Sequence, residues 1–332
     1  MNKVSLILLN YNGAGLLEDC LKSLNNQIFK DFELIIVDNN SNDRSVELIE
    51  EFRKQSFLRI KTVYLRENLG FSKGNIEGLK YADGEYIGLL NNDTEVDKYW
   101  LEELIKAMDE HPEVGICASK IVVYGKDIID SAGDGLILSL KGFKRGEGEP
   151  IERYSIQQYV FGACAGAALY RKKMIEKIGF LDEDFFLIHE DTDFNFRVQL
   201  AGWRVLYVPT AVVQHKVRSS IGYMSDIAIY YTLRNSEFVR IKNIPFWVFL
   251  KCLPEFIVGI ISEFFYFAIK HKRLWLYFKA KIAVIQMFPK MLKKRRWIMK
   301  NKKVTNNYLM NIMTPIWQND LLKAKIKKFL YD

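Results

Sequence analysis

The 332-residue sequence predicts an α/β protein, built on a doubly wound, mostly parallel sheet and followed by a helical C-terminal region. Three observations predict it. Short apolar runs alternate with amphipathic stretches through the first 120 residues. Polar turn residues recur at the ends of those runs. Charge and aromatic content then change near residue 240. From residue 241 onward 19 Lys+Arg face 4 Asp+Glu, whereas residues 1–240 carry 29 against 36. The chain thus divides into an acidic body, 1–240, and a basic, aromatic tail, 241–332, whose charge calls for a polyanionic partner, anionic lipid or nucleic acid.

The first run, KVSLILL (3–9), lacks a long h-region and a small-residue cleavage site, so it reads as a buried strand rather than a signal peptide. That reading places the folded body in the cytoplasm. An amphipathic stretch continues to about Asn26. FELIIVD (32–38) precedes DRSVELIEEFRKQ, RIKTVYL (59–65) precedes FSKGNIEGLKYA, and EYIGLL (85–90) precedes KYWLEELIKAMDEH. VGICAS supplies a fifth strand. Residues 126–158, rich in glycine and charge without a clear period, read as a mobile loop over the site. The small residues of 162–168 allow close backbone approach, for a ligand or for packing. Cys20, Cys117, Cys164 and Cys252 form no CxxC and sit among apolar neighbours, as buried free thiols do.

In the tail, the apolar stretch 244–273 is nearly long enough to span a bilayer, but Lys251, Glu255 and Glu263 interrupt it and Pro254 breaks it. On a helical wheel Glu255, Gly259, Ser262, Glu263, Tyr266 and Lys270 share a sector of about 100° and the remainder is apolar. A narrow polar stripe on a wide apolar surface suits a helix lying in a membrane interface. Packing of a helical pair on the body, and a true spanning helix, are the alternatives. The basic cluster of 288–303 stands beside Phe288, Trp297 and Met299.

In doubly wound sheets, ligands bind outside the carboxyl ends of the strands. Strand 1 leaves through Asn10-Tyr11-Asn12-Gly13, strand 2 through Asp38-Asn39-Asn40-Ser41 and strand 4 through Asn91-Asn92-Asp93-Thr94. Each is ordinary turn and cap chemistry; three on one edge point to a site. The densest charge is LIHEDTDFNFR (187–197), with His189, Glu190, Asp191 and Asp193. Acids at a helix start complement its dipole and cap its free N–H groups. EF-hand and Walker spacings are absent.

The segments VDNNSNDRS, ENLGFSKGNIEGL, LLNNDTEV, GACAGAALYRKK…GFLDEDFFLIHEDTDFNFRVQLAGW and VVQHKVRSS, in this order, resemble the family 2 inverting glycosyltransferases of the GT-A (nucleotide-diphospho-sugar transferase) fold. The similarity spans roughly residues 3–240 and is strongest to bacterial and archaeal members that build lipid-linked glycans, many of them rhamnosyltransferases. It implies a UDP- or dTDP-linked sugar donor. Asp38 would read the base, with Asn10 and Tyr11 on the other side of its pocket. Asn68, Gly70, Lys73 and Asn75 would position the donor, with Asn92 beside it. It also implies Mg2+ or Mn2+ at Asp93 and His215, although Asn91 stands where the family's metal motif has its first carboxylate. A structural, hydrogen-bonded His215 is the alternative.

Inverting transfer needs a base on the face opposite the leaving group, and the family's Glu-Asp pair puts it at Asp191. Asp193 and Glu190 then fall to the helix start, Arg197 to a pairing with one of the acids, and His189 has no assignment. Arg234, with Asn235, is placed to meet the diphosphate of a lipid-linked saccharide acceptor, or is a plain helix-surface arginine. The expected enzyme moves a hexose or deoxyhexose, rhamnose among the candidates, at the cytoplasmic face of the cell membrane, bound to its anionic surface. A catalytically silent scaffold is one alternative, prompted by Asn91. Nucleic-acid binding through the tail is another, disfavoured because its aromatics lie in long apolar runs and the body is acidic.

Overall fold

The computed structural model describes residues 2–217, 222, 224–315 and 317. The predicted alternation is present: β1 (Val4–Asn10), α1 (Ala14–Asn25), β2 (Phe32–Asp38), α2 (Ser45–Gln55), β3 (Arg59–Tyr64), α3 (Gly70–Leu79), β4 (Tyr86–Asn91), a short β5 (Thr94–Val96), α4 (Trp100–Glu110) and β6 (Val114–Val123). There follow β7 (Ile129–Ser131), β8 (Asp134–Ile137), β9 (Lys141–Lys144), a 3-10 turn (Ile151–Tyr154), β10 (Gln158–Val160), β11 (Ala167–Arg171), α5 (Lys172–Ile178), α6 (Glu190–Leu200) and β12 (Arg204–His215). The chain ends in α7 (Asp226–Asn243), α8 (Phe246–Phe264), a π-helical turn (Phe265–Lys270), α9 (Leu274–Lys300) and α10 (Asn306–Ile312).

The main sheet runs β10-β12-β6-β11-β4-β1-β2-β3, with β5 beside β12 and β7 beside β6. β1 is parallel to β2 and β4, β2 to β3 and β6 to β12. The expectation of a mostly parallel sheet needs correction, because β11 is antiparallel to both β4 and β6, and β5, β7 and β10 are antiparallel to their neighbours. Strands buried on both faces read as apolar runs in either direction, so Ala167–Arg171 carried no sign of its orientation. Leu17, Ile49, Trp100 and Leu104 pack on one face of the sheet, and Ile76, Met174 and Phe194 on the other. Helix α3 presses so closely on β1 that a Cβ at Gly74 would lie 2.6 Å from the Leu9 side chain.

Residues 126–158 are not a loose loop. They form β7, the β8–β9 hairpin and the 3-10 turn, and Leu136 and Leu140 are buried in one cluster with Phe238, Val248, Met291 and Leu309 of the C-terminal helices. Helix α7 runs straight through residue 240. Gly259 and Glu263 of the polar stripe on α8 face the rest of the protein, whereas Ser262 and Lys270 are exposed. A Cβ at Gly259 would lie 2.9 Å from Ser139, and buried Glu263 meets Lys281 at 3.2 Å and Lys141 at 3.7 Å. The apolar side faces out, with Trp247, Ile257 and Ile261 exposed, as are Trp275 and Ile285 of α9. Phe246–Lys270, 25 residues, is long and apolar enough to cross a membrane by length and composition. The cysteines are free, with Cys20, Cys117 and Cys252 buried and Cys164 partly so.

Candidate active site

β1 and β2 end in register, Asn10 opposite Asp38. Asn10 donates to Asp38 Oδ1 at 3.0 Å, Ser41 Oγ donates to the same oxygen at 2.6 Å, and the Ser41 N–H donates to Oδ2 at 2.9 Å. Asn92, leaving β4, donates to Asn10 Oδ1 at 2.7 Å. Three strand ends are thus stitched by one hydrogen-bond chain, with Tyr11 half exposed beside it. Asn39 donates to Asn68 Oδ1 at 2.9 Å and accepts from the Leu69 N–H at 2.8 Å, which fixes the turn into α3. Gly70 has φ +76°, and any Cβ there would collide with the Phe186 carbonyl. The Phe71 N–H donates to that carbonyl at 2.6 Å, and buried Asn75 donates to Phe71 O at 2.9 Å. Asn75 and this first-turn N–H therefore serve the fold, and of the residues expected around the donor on α3 only Lys73 has a partly exposed side chain.

Asp93 and His215 come together, His215 Nε2 lying 3.4 Å from Asp93 Oδ1. They do so because β5 pairs antiparallel with β12, setting Thr94 opposite His215. His215 Nδ1 lies 2.9 Å from Asp130 Oδ2, and Lys144 Nζ lies 2.8 and 2.9 Å from the Asp130 carboxylate oxygens. Burial alone would lower the pKa of His215, but the carboxylates of Asp130 and Asp93 outweigh it and push it up to about 9. A carboxylate on one imidazole nitrogen is how proteins orient a metal-binding histidine, and a metal at Nε2 would have to displace the proton that the Asp93 and Asp130 carboxylates favour on the ring. One carboxylate and one imidazole fit Mg2+ or Mn2+, whose other positions substrate phosphates and water commonly fill. No group of three His, Cys, Asp or Glu side chains with metal-ligand geometry occurs among the described residues. Asp130 and Lys144 were missed in the sequence because 126–158 read as a loop, and no local pattern around either residue marks it. Arg218, Ser219 and Ser220, the end of the last family-like segment, lie outside the described residues.

Asp191 sits in the first turn of α6, its Oδ1 accepting from the Thr192 N–H at 2.6 Å. Burial raises its pKa, against the pull of Thr192 and of the Lys144 ammonium. Burial and the neighbouring Asp191 push Glu190 up to about 8. Entry to the helix is strained: Ile188 and His189 both have left-handed backbones, φ +66° and +69°. The buried Asn235 amide donates to the Leu187 and Ile188 carbonyls, each at 2.8 Å. Asn235 thus holds this turn rather than an acceptor. Arg234 is likewise committed, donating to Asp184 O at 2.8 Å and Asn235 Oδ1 at 2.9 Å and lying over Tyr231.

Asp193 caps nothing. It is fully buried, 3.0 Å from Arg197 and 2.7 Å from Lys242, and it accepts from Asn243 at 2.8 Å. Lys242 also pairs with Asp182, Lys294 with Asp182 and Asp184, and Lys290 with Asp184 at 2.6 Å. One ionic network ties α6 and the 182–184 turn to α7 and α9. The pairing expected of Arg197 is present, but the partner acid belongs to the tail's anchor and not to the helix start.

A mixed sheet wrapped by helices, with polar strand ends converging on one edge, is a GT-A-like fold, and solved glycosyltransferases share it. A mannosyltransferase from Pyrobaculum calidifontis, in complex with GDP-Man and Mn2+, superposes with TM-score 0.56 at 16% identity, covering 99% of this chain and 87% of that one. S. aureus TarS 1-349 in complex with UDP-GlcNAc superposes with TM-score 0.55 at 19% identity, covering 94% and 92%. Residues 5–179 match the family model for glycosyl transferase family 2, and the chain belongs to that family. It is a nucleotide-sugar-dependent glycosyltransferase. Among its relatives, the putative glycosyltransferase EpsH of Bacillus subtilis is 28% identical over 72% of this chain and 70% of that protein. Poly-beta-1,6-N-acetyl-D-glucosamine synthase of Staphylococcus epidermidis is 26% identical over 66% of this chain; the match spans about half of that longer protein, 51%. The matched family stretch contains Asn10, Asp38, Asn68 and Asp93, whereas Asp191 and His215 lie beyond it.

Proposed function

We propose that this enzyme transfers a sugar, with inversion, from a UDP- or dTDP-linked donor to a lipid-linked saccharide at the cytoplasmic face of the cell membrane, in the synthesis of a surface polysaccharide. Rhamnose is among the candidate sugars. The observation that carries the reading is the convergence of the Asn10–Asp38 pocket, the Asp93–His215 pair and Asp191 on one side of the body, with Lys144 acting on both Asp130 and Asp191.

Asp38 spends three of its roughly four acceptor sites on Asn10 and Ser41, which leaves one for an N–H on the edge of a pyrimidine. Asp93 and His215 would hold a divalent cation, which when bound offsets the charge of the departing diphosphate. Asp191 takes the proton of the acceptor hydroxyl as its oxygen attacks the anomeric carbon. The bond from that carbon to the diphosphate oxygen breaks, and its electron pair leaves with the diphosphate. A pKa raised by burial makes Asp191 a stronger base near neutral pH. The exposed apolar side of α8 and α9, bordered by Lys290, Lys293, Arg296 and Lys300, would rest on an anionic membrane surface.

The test is nucleoside diphosphate release from UDP- and dTDP-sugars in the presence of Mn2+ and a lipid-linked acceptor, for the wild type and Asp191→Asn. Acceptor-dependent release, lost in the variant while the donor still binds, supports the reading. Equal release by both proteins removes Asp191 from the mechanism.

A further inference from the structure

β12 is parallel to β6 and runs in the same direction as β1. Its last residue, His215, belongs to the catalytic edge. Its first, Arg204, therefore lies at the opposite edge, roughly 30 Å from His215 at about 3.3 Å per residue of the paired β6, and along α6 Gln199 stands about 12 Å from Asp191. There a cleft of about 300 Å³ opens between the β8–β9 hairpin, β10, the C-terminal end of α6 and α10, and it is lined by Arg145, Arg204, Gln199, Tyr308, Asn311 and one carboxyl, Asp134, whose pKa burial and the neighbouring Asp191 raise well above the usual range. None of the residues assigned to transfer lines it.

Two guanidinium groups face this cleft, and among the described residues neither forms an ion pair with a carboxylate. Arg145 donates once, to Ala132 O at 2.6 Å, and lies over Tyr154 and Tyr207. Burial disfavours its charge. Arg204 donates once, to Tyr308 Oη at 3.0 Å, between the rings of Tyr159 and Tyr308. Tyr308 Oη in turn donates to Gln199 Oε1 at 2.6 Å, and the Gln199 amide is fixed on the Val160 and Phe161 carbonyls. The aromatic faces and this hydrogen-bond chain hold the arginines in place while most of their five N–H groups remain unspent. A forked cation that is positioned, partly desolvated and without an ion-paired carboxylate matches an oxyanion.

We propose that this cleft binds an oxyanion, a phosphate or carboxylate, at a site separate from the site of transfer. The binding does not depend on the transfer reaction and is measured without it.

Full-length protein, with UDP saturating the donor pocket, is titrated calorimetrically with glycerol 3-phosphate, glucuronate and neutral glucose. Saturable binding of an oxyanion, without binding of glucose, is the expected result. Tighter glycerol phosphate identifies a phosphate ligand and tighter glucuronate a carboxylate ligand. Arg204→Gln and Asn311→Asp each weaken binding about tenfold or more, with UDP affinity unchanged. Asn311 is exposed, so its variant keeps the test sound if Arg204→Gln fails to fold. The proposal is overturned if neither oxyanion saturates, if both variants bind as the wild type does, or if a parallel titration without UDP shows binding that UDP abolishes.

Discussion

Asn235 of α7 donates to the carbonyl of Ile188, the first of two consecutive left-handed residues that lead into the helix of Asp191. A side chain from the C-terminal helices thereby sets the backbone beneath the residue proposed as the base.

Asn235→Ala should cost about 1–3 kcal/mol of stability, because two partly buried carbonyls lose their donor. It should also lower kcat more than donor affinity. Chemical denaturation and calorimetric UDP titration check the two halves.

Asp191→Asn keeps the shape of the side chain and removes its basicity. A fall in kcat of about 10²–10⁴-fold is expected, with unchanged UDP affinity, in a coupled assay of nucleoside diphosphate release.

Asp130→Asn tests how His215 is oriented. Loss of a carboxylate behind a metal-binding histidine typically costs about 10–100-fold in metal affinity. Mn2+ titration followed by electron paramagnetic resonance, in the presence of UDP, should show a loss of that size; an unchanged affinity would detach Asp130 from the metal site.

Glu190 gives a pH signature. Its pKa is near 4.5 when unfolded and about 8 in the folded chain, so between those values the folded state holds more protons. The stability associated with the neutral carboxyl is complete below about pH 4.5 and is lost as pH rises through 8. Denaturation midpoints of the wild type should fall between pH 5 and 8.5, and Glu190→Gln should flatten that slope.

Trp275→Glu and Ile285→Glu change exposed side chains that touch no catalytic group. Flotation with anionic vesicles should fall sharply in the double variant, while far-UV circular dichroism and UDP affinity remain as in the wild type.

Much of this was legible because local chemistry and tertiary use agree. Asn10, Asp38 and Asn92 are turn residues at strand ends and also the members of one hydrogen-bond chain. Asp93 and His215, 122 positions apart in the numbering, were paired through family resemblance, and the β5–β12 pairing brings them together. What stayed hidden depends on long-range placement. The direction of β11, the order in residues 126–158, and the work of Asp130, Lys144 and Asn235 are set by partners distant in the chain. Asp193 misled for the same reason. An acid at a helix start has a sufficient local explanation, and only Lys242, 49 positions on, shows that it serves another purpose.

The ionic network of Asp182, Asp184 and Asp193 with Lys242, Lys290 and Lys294 has a practical consequence for how this enzyme can be dissected. A chain cut at residue 240 would strand Asp182 and Asp184, whose cations lie beyond the cut, and would leave buried Asp193 with Arg197 alone, directly beneath the helix that carries Asp191. Such a fragment would report misfolding where an experimenter looked for lost membrane attachment. Point changes on the outward apolar side, leaving every lysine of the network in place, are the way to separate anchoring from catalysis.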